Sequence, residues 1–506
     1  MNVCYYNRGM KRLSIIAFAA FIACSLAPFG AMAAARSLVN GDTGAGVTAL
    51  QNDLIALGYL GAQYNTGYFG SLTQTALEKF QCAKNIMCSG SSVDGYGTYG
   101  PHTQAAMQIA LAPKQPATVT GSMTRAATGT FEVSGWLPYW RIASSTTDVA
   151  GHLAQMKSVM PFGYVVQADG TLSDQAHLSE EPWTSFIAAA KALKVRVVPT
   201  VMWGNGTQEQ AILSDTTKRI ALENTIANLA KQNGFDGIDI DFEAKQAQTV
   251  NYFSTFLQGL YARMGQKWVY CTVEARMPLE DRYLPGDTVP ADATQYANNY
   301  IAMNKYCDRV EVMAYDQGTV DKRLNGIRPA PYAPVADPGW DTALVKLAAE
   351  TISRNKLILG IPTYGYEYAV TPSQTAASGV TYKRLWAFNP PYATKILGEL
   401  NATSTRTSAN EAGFVYDPSV LAALAPTDGD ITQTQQTSPD GAPATTSIVT
   451  NNGTVVAKNQ PYNFMTWSDA QAIGDKIALA HSLGLRGVAF FSLNGSEDPA
   501  MWSLWK

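Results

Sequence analysis

Residues 233 to 245 read NGFDGIDIDFEAK and place four acids, Asp236, Asp239, Asp241 and Glu243, within eight positions. Phe235, Ile238, Ile240 and Phe242 between them give the alternation of a buried β-strand. Alternate strand residues share a face, so Asp239, Asp241 and Glu243 form one row. Asp236 is off this parity near the strand start, beside Gly237, and a structural role is expected for it. Carboxyls about two residues apart on one face cannot all ionise cheaply. They titrate as a coupled set, and at least one keeps its proton to higher pH. A protonated carboxylic acid at the mouth of a cleft is what glycosidic bond cleavage requires, because the leaving alkoxide must take up a proton. The alternative is a row satisfied structurally by arginine, hydroxyls or metal. The strand context favours chemistry.

Such a row needs a scaffold that presents strand ends to solvent. From Phe131 onward, strand-like runs recur with helical stretches between them: FEVSGWLPYW, PFGYVVQADGTL, VRVVPTVMW, GFDGIDIDFE, WVYCTVEAR, DRVEVMAYD, KLILGIPTYGY and LRGVAFFSL. Eight strands alternating with helices such as TTKRIALENTIANLAKQNG predict an α/β fold, a (β/α)8 TIM barrel over 131–506. Barrel enzymes keep their chemistry at the C-terminal mouth, and Glu243 is the last acid of its strand. Surplus sequence between strands seven and eight, about 369–460, predicts a small α+β insertion containing GVTYKRLWAF, GFVYDP and TSIVTNNGTVVA.

Residues 38–111 read as a small all-α helical domain. In VTALQNDLIALGYL, Val47, Leu50, Leu54 and Leu57 fall on one helical face. GYFGSLTQTALEKFQ and GYGTYGPHTQAAMQIAL are echoes of one another, with Thr73 and Thr103 matching as helix-start residues. Residues 112–130, rich in Ala, Thr, Pro and Gly, predict a flexible linker. At the N-terminus, Lys11 and Arg12 precede a long apolar run ending in Ala31-Met32-Ala33, which predicts an export signal over 1–33. An uncleaved anchor is the alternative, and a lipoprotein through Cys24 is a weaker one. Export makes disulfides permissible. Cys82 and Cys88, six apart, suit a local bridge, whereas Cys271 and Cys307 are expected as buried thiols. No CxxC or His pair completes a metal site, so no metal and no cofactor are expected.

The net charge is −3 and no basic run occurs, which gives nucleic acid no electrostatic footprint. A monomer is expected.

Two resemblances follow from these motifs. The pattern GDTGAGVTALQNDLIALGYL, GYFGSLTQTALEKFQ and DGYGTYGPHTQAAM resembles the peptidoglycan-binding domain of many bacterial wall hydrolases, which implies wall glycopeptide as a partner. DGIDIDFE resembles the DxxDxDxE signature of glycoside hydrolase family 18, the chitinase-like barrels, supported by MAYD in the sixth strand and YW at the first. The motif order is most similar to the branch with spore-cortex and cell-wall N-acetylglucosaminidases. The resemblance implies substrate-assisted retention, with Glu243 as acid and then base, Asp241 orienting the substrate's acetamide, Asp239 sharing a proton with Asp241, and Tyr315 on the acetamido oxygen. Asp316 would contact the sugar. Met313, Gln317 and Glu274 are cleft candidates. Trp136 and Trp140 are open between core aromatics and sugar platforms. Phe491 stands where that branch usually has Trp, which offers less stacking area. Peptidoglycan is the expected polymer. Chitin or chito-oligosaccharide is the alternative, and a non-catalytic wall-glycan-binding protein is the alternative of another class.

Overall fold

The computed structural model describes residues 37–84, 86–90, 95–111, 130–283, 287–420 and 460–505. The expected export segment, nearly all of the linker, and the TSIVTNNGTVVA run lie outside them. Among the described residues no helix is long and apolar enough to cross a membrane. The chain divides between Thr118 and Val119 into two compact units.

The smaller unit packs helices Ala45–Ala56, Ser71–Ala83 and Pro101–Leu111 around Val47, Leu50, Leu54, Phe69, Leu77, Phe80 and Met107. Its sequence echo is also an echo of bonding. The amide of Gln51 donates to Tyr68 O and Thr73 Oγ1 and accepts from Gly67 N–H. Thirty residues on, Gln81 donates to Thr98 O and Thr103 Oγ1 and accepts from Gly97 N–H. Thr73 and Thr103 stand at the helix starts as expected, each as the third helical residue rather than as the cap. Both are buried within the first turn and receive a glutamine amide instead. Buried polar groups must be paired, and each glutamine closes its own turn. Cys82 and Cys88 form a disulfide at the end of the second helix.

In the larger unit the barrel strands are Glu132–Pro138, Ser158–Val166, Thr200–Trp203, Gly237–Phe242, Trp268–Val273, Arg309–Val312, Leu357–Pro362 and Gly487–Phe491. Neighbours pair in parallel, and the first pairs with both the second and the last, which closes the barrel. Parity along the fourth strand is as the sequence predicts. Ile238, Ile240 and Phe242 pack into the core between sheet and helices. A separate cluster fills the interior, built from Trp136, Met160, Phe162, Val198, Tyr270, Ile358 and Ala489. Gly237 is required at the strand start, since a Cβ there would sit 2.5 Å from Trp268 O. Asp236 beside it accepts from Val197 N–H at 2.8 Å and joins the third strand region to the fourth.

The N-terminal end of the barrel is tied by one carboxylate. Glu132 is buried and accepts from Arg309 Nη2 at 2.7 Å, Arg486 Nη2 at 3.0 Å and Arg196 Nη1 at 3.3 Å. Burial pushes its pKa up, but the hydrogen bond and charge of Arg309 and the charges of Arg196 and Arg486 outweigh it and bring it down to about 2. These four residues come from the first, third, sixth and eighth strand regions, so the cluster joins both sides of the closure.

Cys271 and Cys307 are disulfide-bonded, contrary to the expectation of buried thiols. Cys307 ends the helix Tyr300–Tyr306 and leads into the sixth strand, which pairs with the fifth through Cys271 and Val310. That register brings the two Cα atoms to 6.0 Å, within bridging reach.

Among the described residues the insertion is a five-stranded antiparallel sheet, in the order Val380–Phe388, Gly365–Pro372, Tyr462–Trp467, Ala412–Tyr416, Thr405–Arg406, with the helix Pro390–Glu399. It starts at Gly365 and runs to Trp467, wider at both ends than the sequence pattern suggests. Its central strand YNFMTW carries no turn signal that separates it from the barrel.

Candidate active site

Asp239 lies deepest in the acid row. Its Oδ2 accepts from Trp136 Nε1 at 3.0 Å and Thr200 Oγ1 at 2.8 Å, and its Oδ1 from Thr272 Oγ1 at 2.9 Å. Burial raises its pKa, with these three donors opposing. Asp241 is next, 3 % exposed, and its Oδ1 has no hydrogen-bond partner. Its pKa is pushed well above the carboxylate range by burial, then by the charges of Glu243 and Asp239, with Lys245 opposing. The donors thus favour charge on Asp239 and a proton on Asp241.

Glu243 sits at the mouth. Water reaches it, since the residue is exposed. Partial desolvation, then Glu274 and Asp316, raise its pKa, and Lys245 opposes. A carboxyl so placed holds its proton to higher pH than an ordinary glutamate while remaining accessible to a leaving group.

The sixth strand continues into Met313, Ala314, Tyr315 and Asp316. Tyr315 is buried, with its ring stacked on Phe491 at 5.5 Å between centroids. A Cβ on Gly360 would lie 2.9 Å from the Tyr315 ring, so the seventh strand needs glycine there. Burial above all pushes the pKa of the Tyr315 hydroxyl well up, so it is a neutral donor. Asp316 adopts a left-handed backbone, φ 63°. Its Oδ1 accepts from Tyr364 and from Tyr366 Oη. Tyr366 belongs to the insertion, and Arg384 from the neighbouring inserted strand covers its ring at 5.4 Å.

Phe491 also lies edge-on to Trp136 at 5.9 Å and to Tyr364 at 6.3 Å, which makes it the centre of an aromatic floor. Trp136 itself is core, 1 % exposed, and is spent on Asp239. Trp140 is half-buried and meets Phe162 edge-on at 5.9 Å. Met313 is half-buried against the tyrosine cluster. Gln317 is not in the cleft. It is fully buried, donates to Tyr332 Oη at 3.1 Å and accepts from Asp337 N–H at 2.8 Å, so its amide braces the loop before the helix Pro338–Ala349. Glu274 is at the mouth, where its oxygens accept from Ala244 N–H at 3.1 Å and Asn298 Nδ2 at 2.6 Å.

Sequence reasoning missed Thr200, Thr272, Tyr364, Tyr366 and Glu311. Glu311 was within reach, because Arg309, Glu311, Met313 and Tyr315 share one strand parity. It is fully buried, 3.5 Å from Thr272 Oγ1, with its other oxygen unpartnered. Burial and the charge of Asp239 push its pKa well up. A carboxyl whose folded pKa is raised loses folding stability as pH rises above its unfolded value. Glu311→Gln copies the protonated shape. It should raise Tm at neutral pH by about 2 °C or more, with the gain vanishing near pH 4. A Tm lowered at neutral pH, read by calorimetry, would mean that an ionised Glu311 is part of the fold.

Residues 43–107 match the family described as "Putative peptidoglycan binding domain". The glycosylase YvbX of Bacillus subtilis (strain 168) is 27% identical over 172 residues, 34% of this chain and 46% of YvbX. Chitinase 1 of Aphanocladium album is 26% identical over 232 residues, 43% of this chain and 51% of that protein. The chain thus spans about half the length of these curated relatives. The crystal structure of the spore cortex-lytic enzyme SleL of Bacillus megaterium QM B1551 shares the fold, with TM-score 0.51 and 18% identity over 74% of this chain and 73% of SleL. Residues 138–496 match Glycosyl hydrolases family 18, and the chain belongs to that family.

Proposed function

We propose that this protein is an exported glycosidase that cuts β-1,4 bonds beside N-acetylglucosamine in bacterial peptidoglycan, by substrate-assisted retention. The carrying observation is the graded row: a hydrogen-bonded Asp239, an Asp241 with a free oxygen above it, and a solvent-reached Glu243 at the mouth. Retaining glycosidases of most families use a second enzyme carboxylate as nucleophile, and substrate-assisted families are exceptions. Here Asp241, protonated and buried, is a poor nucleophile but a good partner for an acetamide N–H.

In the first step Glu243 gives its proton to the glycosidic oxygen. The acetamido carbonyl oxygen attacks the anomeric carbon as the C–O bond breaks, forming an oxazolinium ion. Asp241 holds the acetamide N–H and balances the positive charge, with Asp239 ready to take the shared proton. Tyr315 donates to the acetamido oxygen, and Asp316 and Phe491 hold the ring. In the second step Glu243 takes a proton from water as the water oxygen attacks the anomeric carbon and the bond from that carbon to the oxazolinium oxygen breaks, which restores the acid and the acetamide. The N-terminal unit would hold the enzyme on its polymer and raise local substrate concentration.

Chitin is the second reading, favoured by the similarity to Chitinase 1. Digestion of purified peptidoglycan and of chitin, with reducing-end analysis and mass spectrometry of products, separates the two. Release of fragments ending in N-acetylglucosamine from peptidoglycan is expected. Products from chitin alone would overturn the wall assignment.

A further inference from the structure

Two residues past Glu243 the chain turns a lysine into the protein. Ala244 takes a left-handed backbone, φ 58°. Its N–H donates to Glu274 Oε1, and its carbonyl oxygen lies 2.1 Å from where a Cβ on Gly206 would be. Gly206 starts the helix Gly206–Ser214, so this approach seats the helix directly on the turn. Gln246 Nε2 to Thr207 Oγ1 at 3.4 Å and Thr249 Oγ1 to Gln210 Oε1 at 2.7 Å extend the seam.

The Lys245 side chain is only 1 % exposed. Its Nζ lies 3.5 Å from Glu274 Oε1 and 4.9 Å from the centre of the Phe253 ring, and it makes no hydrogen bond. Lysines are almost never fully buried unless paired, and an ammonium out of water is costly unless nearby charge compensates it. On the facing helix, Glu209 is fully buried and neither of its oxygens has a hydrogen-bond partner. Burial, with the charges of Glu274 and Glu243 adding and Lys245 opposing, pushes the Glu209 pKa up to about 8. The groups that face Glu243 are therefore Asp241 on its own strand, Lys245 on the turn, Glu274 after the fifth strand, Tyr315 and Asp316 after the sixth and Glu209 on the helix. Lys245 faces Glu209, Asp241, Glu243 and Glu274.

We propose that Lys245, buried two residues past Glu243 and against Glu274, is a positioning residue for the acid step that tunes the proton affinity of Glu243. The proposal rests on the reading of Glu243 as acid and base. Carboxylates crowded without a cation would hold the Glu243 proton too tightly, and an acid works best with a pKa near the operating pH. The ammonium offsets that crowding, and it stabilises the Glu243 carboxylate that must act as base in the second step.

The test uses the full chain. The pH dependence of kcat/KM on a soluble chromogenic chito-oligosaccharide gives the alkaline limb, and 13C-carboxyl titration by NMR follows Glu243 directly, assigned by its loss in Glu243→Gln. In Lys245→Met both the limb and the NMR midpoint should move up by about half a pH unit or more, and Lys245→Arg should restore them. Glu209→Gln should leave both close to wild type below about pH 7, because it replaces a group that is already neutral. Unmoved midpoints in Lys245→Met, with only Tm lowered, would make Lys245 structural and overturn the proposal. If Lys245→Met does not fold, Lys245→Gln carries the same measurement. Full activity in Glu243→Gln would instead sink the acid assignment, while the NMR midpoint still decides the role of Lys245.

Discussion

Glu243→Gln should lower kcat/KM on peptidoglycan strands by about 10³-fold, the usual worth of a positioned acid or base. Glutamine keeps the shape and removes both proton functions. It can neither give a proton to the glycosidic oxygen nor take one from water, and both steps need that. Binding should survive, because Asp316, Tyr315, Trp140 and Phe491 are untouched, so a pull-down on insoluble wall is expected to be unchanged. The loss should therefore appear in kcat with little change in KM. The pH dependence has a definite sign. Burial and the charges of Glu274 and Asp316 raise the Glu243 pKa, so the protonated form persists to higher pH than for an ordinary glutamate, and wild-type activity should fall on the alkaline side as that proton leaves. Equal product release by wild type and variant, measured as new reducing ends, would show that another group is the acid.

Glu132→Ala should cost about 3–5 kcal/mol of folding stability, the cost of breaking a buried ion pair from one side. Arg309, Arg486 and Arg196 would be left facing one another at the barrel base without their anion. The folded pKa of Glu132 is depressed, from 4.5 to about 2. Its contribution is thus fully present above the unfolded value and is lost as pH falls through the window down to the folded one. The gap in urea midpoint between wild type and variant should be wide at neutral pH and narrow steadily below about pH 4. A gap that is small at neutral pH, or that fails to narrow in acid, would mean the arginines find other partners.

The barrel was legible because parallel strands buried on both faces read as apolar runs, and because Ile238, Ile240 and Phe242 alternate cleanly with Asp239 and Asp241. The acid row was legible for the same reason, since parity is a local property. What sequence pattern could not give is partnership across strands. Nothing in VRVVPTVMW marks Thr200 as the donor to Asp239, and nothing in WVYCTVEAR marks Thr272. Gln317 was misplaced for a related reason. It follows Tyr315 and Asp316 directly, but the left-handed turn at Asp316 redirects the chain, and adjacency stops predicting direction there. Cys271 and Cys307 show the limit from the other side. Thirty-six residues separate them, and only the register of the fifth and sixth strands makes them neighbours.

The inserted sheet has a further consequence for how such a protein can change over generations. Its first strand begins two residues past the barrel strand's neighbour Thr363 and sends Tyr366 back to Asp316, with Arg384 laid over that ring. The root of the insertion is therefore constrained by Asp316, while its edge strand Thr405–Arg406 is tied elsewhere, through Arg406 to Asp469 at 2.7 Å at the start of the helix Ala470–Ser482. Wholesale exchange of the insertion would carry away both what holds Asp316 and a partner of the last barrel helix, so the inserted sheet and the barrel are inherited as one piece.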